Sequence, residues 1–148
     1  ERLGLTLERP LPVAIRVSSD PATASLTTQC HSYFSGHACW WAVPWLQSCY
    51  TCQLHDFENR LSEEEKETLK IWNRTGLCRF QEAVSQLPVE VLLRAWTPQA
   101  SCYVLDACAA PGGKTLQLLE RLPPSACVIA NDAESQRAHQ ILPQTLRK

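Results

Sequence analysis

Methionine is absent from the 148 residues, so no initiator is present, and the chain is expected to be part of a longer or processed protein. Long hydrophobic runs are absent too. Nothing approaches the ~18–20 apolar residues of a membrane span, and Glu1-Arg2-Leu3-Gly4 lacks signal-peptide character. No membrane partner is expected. Neither sign of charge is in surplus: 14 Lys and Arg face 15 Asp and Glu, a net charge of −1. Residues 101–148 hold five basic against four acidic side chains, so composition supplies no basic surface for nucleic acid. What is present is 45% hydrophobic and 20% charged residues, the balance of a packed core and not of a disordered segment. The length suits one domain, or a small domain plus part of another. Eight cysteines are an even number that could pair. Cys102, Cys108 and Cys127, however, fall in or beside expected buried strands, where cysteine behaves as a small hydrophobe. A reduced, intracellular chain is the expectation.

Arg9–Val17 alternates enough to predict a strand, and Ser18-Ser-Asp-Pro-Ala22 a turn. Residues 23–57 show little periodicity and read as irregular, with Trp40, Trp41 and Trp45 clustered. Ser62-Glu-Glu-Glu65 is a capping-box pattern that predicts a helix from about Ser62 to Asn73, with Gly76 placed to end it. Its Glu63, Glu64, Glu65, Glu67, Lys66 and Lys70 suit a solvated face with i,i+4 pairing. Ala83, Val84, Leu87, Val91, Leu92 and Trp96 are spaced for a helix face that Pro88 is expected to divide into two short helices. A strand at Cys102–Asp106 and a helix from about Gly113 to Leu122, stopped by Pro123-Pro124, come next. A strand at Ala126–Ala130 and a helix over about Glu134–Arg147 complete the pattern. That order is one βαβ unit opening a parallel sheet with helices on both faces.

Within this unit Val104-Leu-Asp-Ala-Cys-Ala-Ala-Pro-Gly-Gly-Lys-Thr-Leu-Gln-Leu-Leu119 reads as strand, glycine turn and helix start. In open α/β sheets that junction holds nucleotide-like cofactors. Gly112 and Gly113 permit close backbone approach, and the helix N-terminus offers free N–H groups to a carboxylate. Asp132 ends the second strand 19 residues after Gly113, where an acidic group accepts from both hydroxyls of a ribose. Two other readings stay open. Pro-Gly-Gly is also an ordinary tight turn, and Asp132 an ordinary helix cap. Gly113-Lys114-Thr115 mimics the tail of a phosphate loop, although that motif needs glycine where Cys108 stands.

Asp106-Ala-Cys-Ala-Ala-Pro-Gly-Gly-Lys-Thr115 resembles, nearly letter for letter, the S-adenosylmethionine (SAM) loop of the RsmB/Sun family of RNA cytosine-5 methyltransferases. Arg79-Phe-Gln-Glu-Ala-Val-Ser-Gln-Leu-Pro88 resembles the helix start that precedes the loop in that family. Cys127-Val-Ile-Ala-Asn-Asp-Ala-Glu134 resembles its second strand and acidic end, and Leu11-Pro-Val-Ala-Ile-Arg16 its small N-terminal region. Val43-Pro-Trp-Leu46 sits where the eukaryotic multisite tRNA branch has a Pro-Trp. The resemblance departs at Gly113, where the tRNA branch often has serine, and near Ser18, where the family usually has asparagine.

The resemblance implies an α/β fold: the start of a Rossmann-like class I SAM-dependent methyltransferase sheet, preceded by a small N-terminal α/β region. Residues 1–78 would be an RNA-binding-type region, and 79–148 the first, truncated part of the SAM domain. Cys108, Ala109, Ala110, Pro111, Gly112, Gly113 and Lys114 would line the SAM site and Asp132 would hold its ribose. RNA, in particular tRNA, would be the substrate, and the nucleus the location. The chemistry implied is a cysteine thiolate adding at C6 of cytosine, so that C5 attacks the SAM methyl, with an acidic group managing protons. The family's two cysteines, in a Pro-Cys and a Thr-Cys, lie downstream of the loop. No Pro-Cys occurs here, and Thr51-Cys52 lies upstream, so no catalytic residue is assigned and residues 1–148 alone are expected to be inactive. A non-catalytic piece that binds SAM or RNA, and a class I methyltransferase with another substrate, are the alternatives.

Cys49-x-x-Cys52-x-x-His55, with Cys30, His31, His37 and Cys39, has the ligand types of a zinc site but no standard spacing, and no metal is assigned. Trp40, Trp41 and Trp45 could stack on RNA bases, but core packing is the expectation. His139 is expected on a helix surface.

Overall fold

The alternating run Val13-Ala-Ile-Arg-Val17 forms β1 (Val13–Val17), the strand around which the N-terminal half assembles. The computed structural model describes residues 10–146; β1 starts later than expected, and Arg9 lies outside the described residues. β1 pairs antiparallel with β3 (Cys49–Cys52) on one side and β4 (Cys78–Phe80) on the other. β2 (Trp41–Ala42) adds to β3, giving the order β2-β3-β1-β4. Ile15 and Val17 are fully buried against Phe34, Leu69, Cys30, Cys52 and Cys78. Phe34 stacks on Tyr50 at 4.9 Å and meets the edge of Trp40 at 5.0 Å, so aromatic rings fill this core.

Residues 23–57 are therefore not irregular. They form α1 (Ala24–Gly36), β2, β3 and α2 (Leu54–Asn59). Only Thr27, Cys30 and Phe34 of α1 are buried; two of the three are small, so the helical period is faint in the sequence. All four residues of β3 are buried, which removes the alternation that marks a strand. Trp40 is core, but Trp41, on the edge strand β2, and Trp45, in the turn after it, stay 44% and 41% exposed. α3 (Glu63–Thr75) behaves as expected. Ser62 Oγ accepts from Glu65 N, the Glu65 carboxylate accepts from Ser62 N at 2.8 Å, and Gly76 ends the helix at φ +82°. Its internal ion pairs are spaced i,i+3 (Lys66–Glu63, Lys70–Glu67) and i,i+7 (Arg74–Glu67), not i,i+4.

α4 (Ala83–Ala95) runs unbroken through Pro88. The proline removes one N–H, but it is exposed and so is Val84, whose carbonyl would have received that bond. The acceptor lost from the ladder is on a solvent-facing flank, and the helix is not divided. β5 (Tyr103–Asp106) and β6 (Cys127–Ala130) pair in parallel, Val104 opposite Val128 and Asp106 opposite Ala130. α5 (Gly113–Arg121) crosses between them and stops before Pro123-Pro124. Val104, Val89, Leu118 and Leu122 make a second core. On the other side of the pair, Tyr103, Leu105 and Ile129 are 79%, 64% and 50% exposed. Among the described residues helices thus cover one face, and Cys127, on the open face, is exposed, contrary to expectation. Residues 135–146 are helical, with a π turn at Arg137–Ile141 leading into α6 (Leu142–Leu146). Pro143 cannot continue the i→i−4 ladder, which accounts for the widened turn before it; His139 on this stretch is exposed. The expected end at Arg147 lies outside the described residues.

A buried polar layer joins the two cores. Arg16 on β1 pairs with Glu120 on α5, and its Nε donates to Gln81 Oε1 at 2.9 Å. Gln117 Nε2 donates to Glu90 Oε1 at 3.2 Å and to the Gln86 carbonyl at 3.3 Å. Arg121 donates to Glu90 at 2.6 Å. Arg16, Gln86, Glu90 and Gln117 are each at most 3% exposed, so each needs its partners. Removing one partner strands the others. Glu90→Ala is expected to lower unfolding free energy in urea by about 3 kcal/mol, whereas Lys70→Ala in the exposed pair should change it by less than about 0.5 kcal/mol.

Candidate cofactor site

The loop between β5 and α5 is organised by two aspartates at adjacent strand ends. Asp106 closes β5; its Oδ2 accepts from Thr115 Oγ1 at 2.6 Å and its Oδ1 from Cys108 N at 3.4 Å. Asp132 follows β6; its Oδ2 accepts from Ala110 N at 3.1 Å. Ala109 N donates to the Asn131 carbonyl at 2.8 Å. The loop is therefore pinned at both ends and in the middle. Gly112 takes φ +113°, a conformation that side chains disfavour, and serves as the N-cap of α5 with no side-chain cap. The first N–H groups of α5 are left for another acceptor.

Cys108, Ala109, Ala110, Pro111, Gly113 and Lys114 line one cleft of about 230 Å³. Gly112, which is buried, and Asp132, which is bonded to Ala110, do not line it. Cys108 is exposed, contrary to the expectation of a buried thiol, because it sits on the loop past the strand end. The far wall is Phe80, Gln81, Glu82 and Ser85. Those four, with Asp106 and Thr115, escaped the sequence-based site. The Gln81-Glu82 pair stood out only as a flanking motif, and Asp106 only as a strand end.

Asp132 is 8% exposed, and its other oxygen takes Glu134 N at 3.1 Å and Arg137 at 3.0 Å. Of the roughly four lone-pair sites of a carboxylate, one on Oδ2 is left, and the half-exposed Arg137 covers another. The Glu134 N–H, then the Ala110 N–H and Arg137, hold its carboxyl below the ordinary 3.8. The ionised form therefore stabilises the fold fully above that value, and the contribution is lost only as pH falls below it toward the lower folded pKa. The Ala110 amide resonance is accordingly expected to stay fixed from about pH 7 to pH 5 and to move only below about pH 4.

The cysteine- and histidine-rich segment has other employment. Cys30, Cys39 and Cys52 are core residues, His31 Nδ1 lies 2.9 Å from Tyr50 OH, and His37 pairs with Glu65 at 3.1 Å. Among the described residues no three His, Cys, Asp or Glu side chains gather as metal ligands. Burial pushes the thiols of Cys49 and Cys52 up to about 11 and that of Cys78 up to about 12. Cys52, in Thr51-Cys52, is no ready nucleophile. A thiol reagent at pH 8 is expected to modify Cys108 and Cys127 within minutes and to leave Cys30, Cys49, Cys52 and Cys78 intact until the protein unfolds, as read by peptide mass mapping.

No helix among the described residues is long and apolar enough to cross a membrane. Residues 93–147 match the family model described as 16S rRNA methyltransferase RsmB/F. The chain is 33% identical over 132 residues to a ribosomal RNA small subunit methyltransferase F of Psychromonas ingrahamii, covering 88% of this chain and 25% of that protein. It is 43% identical over 84 residues to the multisite-specific tRNA:(cytosine-C(5))-methyltransferase of Saccharomyces cerevisiae, covering 53% and 12%. It is 40% identical over 72 residues to a tRNA (cytosine(49)-C(5))-methyltransferase of Pyrococcus abyssi, covering 49% and 22%. The chain thus spans a quarter or less of the length of each of these relatives. By sequence it is a relative of the RsmB/F family of RNA methyltransferases, with residues 93–147 the part that carries the family pattern.

Proposed function

We propose that this chain is the cofactor-binding part of a SAM-dependent RNA cytosine-5 methyltransferase acting on tRNA. The observation that carries the reading is the pinned loop at the carboxyl end of a parallel strand pair, opening on an uncapped helix start. β5, α5 and β6 would be the first unit of a Rossmann-like sheet, with residues 79–148 belonging to it and 1–78 to an RNA-binding-type region.

The residues present suit SAM. Backbone N–H groups at Gly113 and Lys114, at the positive end of α5, would take its carboxylate. Cys108, Ala109, Ala110, Pro111 and Gly112 would form the floor along which it lies. Asp132 would accept from the ribose through the lone pair still open on Oδ2 and the one that Arg137 covers. SAM supplies the electrophilic methyl group. The nucleophile that activates cytosine is not assigned among residues 1–148, where the only Thr-Cys is sealed in the N-terminal core.

S-adenosylhomocysteine, which shares every recognised part of SAM except the methyl, is expected to bind the full-length protein and to shield Cys108, not Cys127, from alkylation. Asp132→Ala should weaken that binding about tenfold or more by removing the ribose acceptor and the Ala110 anchor. Equal alkylation of Cys108 with and without saturating ligand would contradict the assignment. The full-length protein is expected to methylate cytosine in total tRNA, and residues 1–148 alone are not. Transfer to small-subunit rRNA instead would favour the second reading, suggested by the methyltransferase F relative that aligns over 132 residues.

A further inference from the structure

Gln81 stands between two parts of the molecule that the site so far leaves unconnected. Its backbone N–H continues the β1–β4 ladder, donating to the Ala14 carbonyl at 3.1 Å. Its carbonyl accepts from Gln86 Nε2 at 3.1 Å. Its side chain reaches the other way. Oε1 takes the Arg16 Nε–H at 2.9 Å, while Nε2 faces Gln117 Oε1 at 3.5 Å. The same amide faces the first residue of α5 across a space that a side chain would fill: a Cβ on Gly113 would sit 3.4 Å from Gln81 Cδ and Nε2, so the glycine itself leaves a gap. Gln81 and Gly113 both line the cleft, and Arg16 does not.

We propose that Gln81 is a positioning residue for the cofactor loop: oriented by Arg16 of the N-terminal sheet, its amide holds α5 through Gln117, about one turn beyond Gly113. The inference builds on the reading of this cleft as the SAM site. Arg16 is 3% exposed and anchored independently by Glu120, so it holds Gln81 in one rotamer. That rotamer sets how far the start of α5 advances into the cleft, and so where its free N–H groups stand. A sheet outside the βαβ unit thereby governs cofactor affinity.

The test uses the full-length protein and S-adenosylhomocysteine as the probe, with Kd from calorimetry, Tm from thermal melting and amide exchange over residues 107–115. Gln81→Ala is expected to raise Kd about tenfold and to speed exchange in the loop. Arg16→Lys keeps a cation for Glu120 but loses the Nε donor; it should raise Kd in the same direction although Arg16 does not touch the cleft. The Arg16→Lys/Gln81→Ala double variant should bind no more weakly than Gln81→Ala alone, since both changes break one linkage. If Gln81→Ala and Arg16→Lys lower Tm but leave Kd and loop exchange unchanged, Gln81 is only a packing residue and the proposal is wrong. Should Gln81→Ala fail to fold, Arg16→Lys decides alone by the same readouts. If the unsubstituted protein does not bind the probe at all, the cofactor reading itself has failed, and this inference with it.

Discussion

The buried polar layer between the two cores is the constraint on which the rest depends. An apolar seam would tolerate small slides and rotations, because dispersion contacts are non-directional. A layer of amides, carboxylates and guanidinium groups does not, since each buried group that loses its partner carries the full desolvation penalty. Glu90 accepts from both Gln117 and Arg121. Glu120 accepts from Arg16 and from Ser19 N. The pairs are interlocked, so a shift that relieves one breaks another. The aromatic core under β1 and the aliphatic core under β5 are thereby held in one relative orientation.

That orientation reaches the cleft through α5. Gln117, Glu120 and Arg121 project from this helix into the layer, and its first residue, Gly113, lies about one turn before Gln117. A short helix is stiff over that distance, so fixing its buried side chains fixes the place of its N-terminus. The loop ahead of it has little freedom left, being tied to Asp106, Asn131 and Asp132. Cofactor recognition by backbone N–H groups needs such preorganisation, because these groups cannot adjust by changing rotamer.

The site was more legible in the sequence than the fold around it, for physical reasons. Gly112 at positive φ, the uncapped helix start and Asp132 beside the loop are local features written in consecutive residues. So are the Ser62–Glu65 box and Gly76. α1 was hidden because its buried face is built largely from threonine and cysteine, and β3 because both its faces are covered. Pro88 misled because exposure of the orphaned carbonyl is a tertiary fact. The polar layer was invisible for a deeper reason. Arg16, Gln81, Glu90 and Glu120 read singly as surface residues, and only the chain's path brings Arg16 to Glu120, 104 positions away. The exposure of Cys108 and Cys127 likewise follows from which faces are covered, not from residue type.

The most direct test of the account is a crystal structure of the full-length protein with S-adenosylhomocysteine. The expected result is the ligand in the Cys108–Lys114 cleft, its carboxylate at the start of α5, with Gln81 still bridging Arg16 and Gln117. A ligand bound elsewhere, or a Gln81 turned away from Gln117 in the complex, would contradict it.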